Sequence, residues 1–257
     1  MIVQIYEIQT PGEARAMIDL GVDHIGSVLV SAEHWQDAVI RQTVATVQAA
    51  GRKSSLIPLF CDPDRIARVI DFYRPDIIHF CDALPMDVDG PEMTAIVERQ
   101  KRLRDQFPEI AIMRSIPIAR SAWCEQVPSL AMAERLELYS DWFLTDTILL
   151  QDQGIGLGDQ PVNGFVGITG QTCDWAIARS LVQSSRIPVI LAGGIGPLNV
   201  AEGILQVQPA GVDSCTLTNA VGASGQTIRF KKNPDKVAAM VSAARVAGSK
   251  KVLSASR

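Results

Sequence analysis

The stretch from Ile187 to Ser214, IPVILAGGIGPLNVAEGILQVQPAGVDS, decides the fold of this chain. It opens with a short apolar run, PVIL, which is typical of a buried strand, and a glycine-rich turn follows. A helix is predicted next, with Pro197 in its first turn and with Val200 and Ile204 four residues apart on its buried face. The chain then enters a second strand at AGVDS. This order of elements predicts one right-handed crossover unit with parallel strands.

The turn AGGIG at residues 192–196 is suited to binding an anion. Residues without a Cβ atom allow backbone N–H groups to approach an anion closely, and the N-terminus of the following helix adds partial positive charge. The alternative is a tight turn that needs glycine for its own geometry. The local sequence alone does not decide between the two interpretations.

Alternating strand and helix patterns recur along the whole chain. Apolar runs with the length of buried strands occur at residues 2–8, 24–30, 54–60, 76–81, 110–116, 142–145, 188–191 and 210–214. A helical pattern follows each run. After the first run, Thr10 is suited to the N-cap, Pro11 to the first turn and Glu13 to a capping box. Eight strands, each followed by a helix, predict a single (β/α)8 TIM barrel of the α/β class.

The predicted barrel spans residues 1–247, with its last helix over about residues 234–247, and a frayed tail is expected at residues 248–257. An open doubly wound sheet would show the same alternation, but the count of eight units favours the barrel. A chain of 257 residues, of which 47% are hydrophobic and 20% charged, can bury the core of one such domain.

Charge and cysteine content exclude several classes of protein. The net charge of -4 leaves no stripe of lysine and arginine to neutralise a nucleic acid. No apolar run reaches the roughly 18 residues of a membrane span, and residues 1–10 lack the pattern of an export signal. The 5 cysteines are widely spaced without a C-x-x-C pair, which favours reduced thiols. We therefore expect a cytoplasmic protein that binds neither nucleic acid nor membrane.

A second glycine-rich segment, GIGLG at residues 154–158, has part of the spacing of a dinucleotide-binding fingerprint. It neither follows a strand directly nor opens a helix, which the fingerprint requires. We interpret it as a mobile lid over the barrel mouth, and we expect no cofactor.

Functional residues of a (β/α)8 barrel lie where its strands run into the following loops. Glycines and hydroxyl groups follow strands seven and eight here, and barrels commonly bind phosphate at these two turns. The predicted phosphate site consists of Gly170, Gly193, Gly194, Gly196, Ser214 and Thr216.

Several segments share a pattern with one known family of barrels. They are GVDHIG at residues 21–26, LTDT at 144–147, GITGQTCDW at 167–175, PVILAGGIGPLNV at 188–200 and GVDS at 211–214. The first three resemble the G-A-D-x-x-G, L-L-D-T and G-G-T-G-x-x-F-D-W segments of phosphoribosylanthranilate isomerase, a barrel of tryptophan biosynthesis. The last two are similar to its phosphate-binding strands. The resemblance implies a phosphorylated small-molecule substrate, and we expect a monomer or a homodimer.

The resemblance also implies an Amadori rearrangement of a phosphoribosylamine. In that reaction an acid protonates the ribose ring oxygen, and a base removes the proton from C2 of the resulting iminium. The family's acid corresponds to Asp146 here. An acid acting near neutral pH needs a raised pKa, which a partly apolar barrel mouth could provide. The alternative for Asp146 is a helix-capping or loop carboxylate.

The base departs from the family pattern. The family's K-I-C-G-I carries a cysteine base, whereas residues 4–8 read QIYEI, so Tyr6 takes its place. A phenol with a pKa of about 10 is a poor base at neutral pH. His79 stands where the family has a glutamine, and alternation along the strand puts it on the same face as Cys81. His79 is therefore an alternative base, although a hydrogen-bonded interior histidine fits equally well.

The substrate-binding residues depart as well. The family's S-P-R, whose arginine recognises the anthranilate carboxylate, is replaced by SAEH at residues 31–34, and Glu33 would repel that carboxylate. Arg114 on strand five is predicted to contact substrate, to pair with Asp146 or to form a salt bridge at the barrel mouth. Cys81 completes the predicted substrate site. Because His79, Cys81 and Asp82 match no strong ligand spacing, we predict no metal site.

Three functions follow from these residues. The first is an isomerase of a phosphorylated sugar amine, with Asp146 as the acid and Tyr6 or His79 as the base. The second is a divergent phosphosugar lyase or aldolase on the same barrel. The third is a non-catalytic protein that binds a phosphorylated metabolite.

Overall fold

The computed structural model describes the backbone of residues 1–150 and 160–255 and the side chains of residues 1–150 and 160–250. The segment that we interpret as a lid, residues 154–158, lies outside the described residues. No helix in the described part of the chain is long and apolar enough to cross a membrane.

Eight parallel strands close into a barrel in which each strand pairs with the next along the chain and the eighth pairs with the first. The strands are β1 (Ile2–Ile5), β2 (His24–Leu29), β3 (Lys53–Pro58), β4 (Ile77–Phe80), β5 (Ala111–Ile118), β6 (Trp142–Thr147), β7 (Val189–Leu191) and β8 (Gly211–Ser214). The helices are α1 (Pro11–Asp19), α2 (Ala38–Ala49), α3 (Pro63–Tyr73), α4 (Pro91–Gln106), α5 (Ser129–Leu136), α6 (Trp175–Ser184), α7 (Val200–Val207) and α8 (Pro234–Ala255). The predicted (β/α)8 barrel is confirmed, and the doubly wound alternative is wrong because β8 pairs with β1.

Local sequence signals position the helices. The Thr10 hydroxyl accepts a hydrogen bond from the Glu13 amide while the Glu13 carboxylate accepts one from the Thr10 amide, so the predicted capping box of α1 is confirmed. At α3, the Asp62 side chain caps the first turn and Pro63 follows it. Each cap satisfies amide groups that would otherwise lack a partner, and therefore sets where its helix begins.

The side chains of β1 alternate between the outside and the inside of the barrel. Val3 and Ile5 are fully buried outside the barrel, in the layer that includes Met17 of α1 and Met240 of α8. Gln4 instead points into the barrel, where its amide donates to Asp213 of β8. The hydrophobic core between sheet and helices therefore holds the barrel closed, while the interior is free to carry polar side chains.

Helix α7 begins at Val200, later than the sequence predicted. Pro197 lies in a turn before the helix rather than in its first turn. The cause is Asn199, whose side chain donates to the carbonyl of Gly194 at 2.8 Å and accepts from the amide of Gly196 at 2.9 Å. These two bonds hold the glycine turn in shape before the helix starts. Val200 and Ile204 are both fully buried, as predicted.

Helix α8 continues to Ala255, beyond the Ala247 that the sequence predicted as its end. The expected frayed tail is therefore wrong for residues 248–255, whose backbone is helical. Gly248 is no break in this helix; a Cβ there would lie 2.6 Å from the Cβ of Met1, so the glycine lets the helix pass the start of β1.

An antiparallel hairpin between β8 and α8 was not predicted. It consists of β9 (Asn219–Val221) and β10 (Thr227–Lys232). Its anchor is Glu7, which follows β1 and is only 1% exposed. The Glu7 carboxylate accepts hydrogen bonds from Arg229, from the Phe230 amide and from Asn219. Lys232 lies 3.8 Å from it.

Glu7 also has a left-handed backbone, with φ at 63°. Such a conformation is strained for a residue with a Cβ atom and costs on the order of 1 kcal/mol. The nearby Lys232 and Arg229 charges and the hydrogen bonds lower the pKa of Glu7 despite its burial, which raises it. The ion pairs and hydrogen bonds thus hold the end of β1 against the hairpin and compensate for the backbone strain.

We predict that Glu7→Ala lowers the free energy of unfolding by about 3 kcal/mol, because it leaves the buried Lys232 ammonium without its carboxylate. Glu7→Gly is the matched variant. It loses the same contacts but relieves the left-handed backbone, so it should be more stable than Glu7→Ala by about 1 kcal/mol. Urea unfolding of the three proteins measures both differences. Equal stability of all three would contradict this role for Glu7.

Candidate active site

One pocket opens at the carboxyl ends of the strands and encloses about 690 Å³ of space, including its mouth. Its lining combines acidic side chains, glycine backbone and apolar side chains. Asp146 at the end of β6, Asp213 of β8 and Glu7 after β1 contribute carboxyl groups to its lining. A lining of apolar side chains with a few polar groups is typical of a small-molecule site.

Asp146 is held in the pocket by its neighbours. Its Oδ1 accepts a hydrogen bond of 3.0 Å from the Thr147 amide. Gly167 passes so close that a Cβ there would lie 2.1 Å from Oδ2 of Asp146, and its φ of 97° favours glycine as well. Burial raises the pKa of Asp146 to about 7. Near neutral pH, this carboxyl group can therefore hold a proton and release it.

Asp213 is the second carboxyl group, and the sequence analysis did not assign it a role. Its Oδ1 accepts a hydrogen bond of 3.1 Å from the Gln4 side chain. Burial raises the pKa of Asp213 to about 7, and the charge of Asp146 acts in the same direction. The available signal was a carboxylate on an inward-facing position of a predicted barrel strand. The sequence analysis assigned only Ser214 of that strand to the predicted phosphate site.

Tyr6 and His79 line the same pocket but are bonded to each other. The Tyr6 hydroxyl lies 2.7 Å from Nδ1 of His79 and 2.5 Å from Oγ of Ser55. His79 Nε2 lies 2.8 Å from Oγ of Ser115. The aromatic ring of Tyr6 covers Gly26, where a Cβ would approach within 2.0 Å of it. These contacts place the Tyr6 side chain against β2, β3 and β4.

Burial shifts the pKa values of Tyr6 and His79 away from neutrality, which makes both groups poor at transferring a proton near pH 7. It raises the pKa of Tyr6 well above the ordinary value of a phenol. Burial also lowers the pKa of His79 to about 3, and the Arg114 charge adds to this effect. Both groups are neutral near pH 7, and both ring nitrogens of His79 have partners. Asp213 is consequently the better proton acceptor in the pocket.

The glycine turns form one corner of the pocket. Gly170, Gly193 and Gly194 all have left-handed backbones, with φ of 65°, 82° and 60°. A Cβ on Gly194 would lie 2.5 Å from the backbone of Gln171, so only glycine fits there. The Oγ atom of Ser214 is buried and has no hydrogen-bond partner among residues 1–150 and 160–250. An anion bound in this corner would give the buried hydroxyl the hydrogen-bond partner that it lacks.

The predicted phosphate residues do not all lie in this corner. Five of them line the pocket, namely Gly170, Gly193, Gly194, Ser214 and Thr216. Gly196 does not, and its amide donates to Asn199 instead.

The predicted substrate residues are dispersed. Cys81 lines the pocket and is buried, which raises the pKa of its thiol well above the ordinary value. Arg114 donates from Nη1 to Oδ1 of Asp82 at 2.7 Å and from Nη2 to the backbone carbonyl of Asp82 at 2.9 Å, and it is not part of the lining. Arg99 lies 2.7 Å from the other carboxylate oxygen of Asp82. Glu33 is exposed in the loop after β2, outside the lining.

The closed barrel and the two carboxyl groups at its carboxyl end define a (β/α)8-barrel enzyme of acid–base chemistry. The family model described as N-(5'phosphoribosyl)anthranilate (PRA) isomerase matches residues 104–242, more than half of the chain. The chain therefore belongs to the phosphoribosylanthranilate isomerase family, and it is an isomerase-like enzyme of that family. The resemblance drawn from the sequence is confirmed.

Relatives and solved structures agree with this assignment. The N-(5'-phosphoribosyl)anthranilate isomerase of Roseiflexus sp. strain RS-1 is 30% identical over 250 residues, which cover 95% of this chain and 98% of the relative. A phosphoribosyl anthranilate isomerase in complex with reduced 1-(o-carboxyphenylamino)-1-deoxyribulose 5-phosphate matches with a TM-score of 0.63 and 17% identity, over 96% of this chain and 100% of that one. None of these matches is a lyase or an aldolase.

A third match concerns assembly. Monomers generated from the dimeric phosphoribosylanthranilate isomerase of Thermotoga maritima match with a TM-score of 0.59 and 18% identity, over 96% of this chain and 100% of that one. At this identity the match shows the fold, and the expectation that the present chain is a monomer or a homodimer stays a prediction.

We predict that Asp213→Asn stabilises the protein much more at pH 8 than at pH 5. In the folded protein the pKa of Asp213 is raised to about 7. The unfolded value is about 4, so the stabilising contribution of this group is complete below about pH 4 and is lost as the pH rises through 7. The amide stays neutral, so the variant should be more stable than the wild type by about 4 kcal/mol at pH 8 and by about 1.4 kcal/mol at pH 5.

Urea unfolding at the two pH values measures this gain, and the exposed residue Asp105, changed to asparagine, controls for the loss of one acidic group. A gain for Asp213→Asn that is the same at pH 5 and pH 8 would contradict the raised pKa.

Proposed function

We propose that this enzyme catalyses the Amadori-type aldose–ketose isomerisation of an N-substituted 5-phosphoribosylamine, with Asp146 as the acid and Asp213 as the base. One observation carries the proposal. Two carboxyl groups, the buried Asp213 and the half-buried Asp146, each have a pKa raised to about 7 and face one pocket beside a glycine-lined corner. Membership of the isomerase family supports the reaction type, and the Roseiflexus relative, an N-(5'-phosphoribosyl)anthranilate isomerase, supports the phosphoribosylamine class of substrate.

The substrate phosphate would bind in the glycine corner. Gly170, Gly193 and Gly194 bring backbone close to the pocket, and the free Ser214 hydroxyl can donate to a phosphate oxygen. Phosphate sites after strands seven and eight are common in (β/α)8 barrels. With the phosphate in this corner, the ribose lies between β6 and β8, which carry the two carboxyl groups.

The reaction then proceeds in two proton transfers. Protonated Asp146 donates to the ribose ring oxygen, and the C1–O bond breaks to give an open-chain iminium. Ionised Asp213 removes the proton from C2, and the electrons of that C–H bond neutralise the iminium to form an enolamine. Loss of the O2 proton and protonation at C1 convert the enolamine to the 1-amino-1-deoxyribulose 5-phosphate.

Electrostatic coupling favours this division of roles. The charge of Asp146 raises the pKa of Asp213. When Asp146 releases its proton to the ring oxygen, its new charge therefore makes Asp213 a stronger base for the step that follows. Because the two carboxyl groups interact, they titrate as a pair, and the acid and base roles need one to be protonated while the other is ionised.

We predict that Asp146→Asn and Asp213→Asn each lower kcat by at least about 100-fold, because each removes one proton transfer from the rate-limiting chemistry. Wild-type kcat/KM should follow a bell-shaped pH profile with its maximum near pH 7. The measurement is formation of 1-arylamino-1-deoxyribulose 5-phosphate, followed by phosphorus NMR, from arylamines condensed with ribose 5-phosphate.

Tyr6→Phe is the matched comparison, since it keeps the ring over Gly26 and removes only the hydroxyl group. Its kcat should fall far less than that of Asp213→Asn. A loss for Tyr6→Phe as large as that for Asp213→Asn, or full activity of Asp213→Asn, would assign the base to the phenol instead.

A further inference from the structure

The wall of the pocket across from the glycine corner is apolar. In a closed barrel of eight strands, β3 lies across from β7, which leads into that corner. Val28 of β2 and Ile57 of β3 are buried and line the pocket there, together with the half-buried Leu59. Cys81 after β4 and Val166 complete this apolar wall. The part of a substrate farthest from its phosphate would contact these five side chains.

The pocket lining contains no lysine or arginine among the described residues. Its charged side chains are acidic, namely Glu7, Asp146 and Asp213. The lining histidine, His79, is neutral near pH 7 because burial lowers its pKa to about 3. Residues 151–159, QDQGIGLGD, contain no lysine, arginine or histidine and therefore supply no cation to the site.

Three cations near the barrel mouth, Arg114, Lys232 and Arg229, already have carboxylate partners. Arg114 is 1% exposed and donates from both terminal nitrogens to Asp82, which also binds Arg99. Lys232 is held by Glu7, by Asn219 and by the Cys215 carbonyl group. Arg229 shares the same Glu7 carboxylate.

A carboxylate on the substrate would therefore enter this pocket without a partner. Moving an ionised carboxylate from water to an apolar wall is strongly unfavourable unless a cation or several donors replace the lost water. The charges of Asp146 and Asp213 would repel it further whenever they are ionised. An uncharged aryl or alkyl group has neither penalty and gains from contact with the apolar wall.

We propose that the substrate of this enzyme is a 5-phosphoribosylamine whose N-substituent is apolar and carries no carboxylate. The proposal rests on the proposed function for the orientation of the substrate, with its phosphate in the glycine corner. It names the substrate class of that site: N-(5-phosphoribosyl) derivatives of neutral amines, with neutral arylamines as the class that the apolar wall accommodates.

Three substrates that differ in one group test this inference. Ribose 5-phosphate condensed with aniline, with 2-aminobenzamide or with anthranilate gives phosphoribosylamines with hydrogen, a neutral carboxamide or a carboxylate at the same ring position. The expected result is a kcat/KM at least about tenfold higher for the two neutral substrates, an effect of one missing ion pair. A kcat/KM for the anthranilate substrate equal to or above that of the carboxamide would overturn the proposal.

A variant of the apolar wall tests the same inference from the side of the protein. Leu59→Arg places a guanidinium at a half-buried position of the lining, from which it can reach both pocket and solvent. Leu59→Arg should raise the kcat/KM for the anthranilate substrate relative to that for the carboxamide substrate by about tenfold or more. Leu59→Met should leave this ratio unchanged. No shift in Leu59→Arg would contradict the assignment of this wall to the N-substituent.

Measurements of ligand binding distinguish a failure of this inference from a failure of the proposed reaction. The probes are reduced 1-(o-carboxyphenylamino)-1-deoxyribulose 5-phosphate and its phenyl and carboxamide counterparts, measured by calorimetry on the full chain. Tighter binding of the two neutral compounds without turnover of any substrate would reject the isomerisation and uphold the inference. Tighter binding of the carboxylated compound would overturn the inference, whatever the turnover.

Discussion

Closure of the sheet by β1 and β8 is the constraint on which the site depends. The pairing places Gln4 opposite Asp213, and the Gln4 amide holds the Asp213 carboxyl group inside the barrel. Without closure, Asp213 would lie on an open edge in water and would titrate as an ordinary carboxylate. Closure also brings the end of β1, where Glu7 lies, against the hairpin of β9 and β10 that follows β8. One pairing of strands thus sets both the environment of Asp213 and the rim of the pocket.

Three buried carboxyl groups show how neighbouring charges decide whether such a group is ionised near neutral pH. Asp82 and Glu7 each lie beside two cations, which lower the pKa values of both carboxyl groups and keep them ionised in structural roles. For Asp213, burial and the charge of Asp146 outweigh the Gln4 hydrogen bond and the Lys232 charge, so its pKa rises to about 7. Burying such a group costs stability above its pKa, which a folded protein retains only where the surrounding structure compensates for it. The cost of burying Asp213 is what makes it suitable for proton transfer.

The interior of this barrel carries polar side chains in place of the usual apolar layers. Tyr6, Ser55, His79 and Ser115 form one chain of hydrogen bonds across β1, β3, β4 and β5. Every buried group in this chain has a partner, which is the condition under which polar side chains are tolerated in a core. Burial, rather than these bonds, keeps Tyr6 and His79 neutral, because it raises the pKa of Tyr6 and lowers that of His79.

The sequence by itself determined the eight strand and helix units and the cap of α1, and it placed the glycine turns and Asp146 after their strands, because periodicity, capping residues and glycine turns act over a few neighbouring residues. It could not determine the role of Asp213, the partner of Arg114, the hairpin anchored by Glu7 or the continuation of α8 past Met1. Asp213 and Gln4 are 209 residues apart, and Arg114 and Asp82 are 32 apart. Only the tertiary structure decides which of these groups meet and how deeply they are buried, and the pKa of a carboxyl group follows from burial and neighbouring charge, neither of which local sequence specifies.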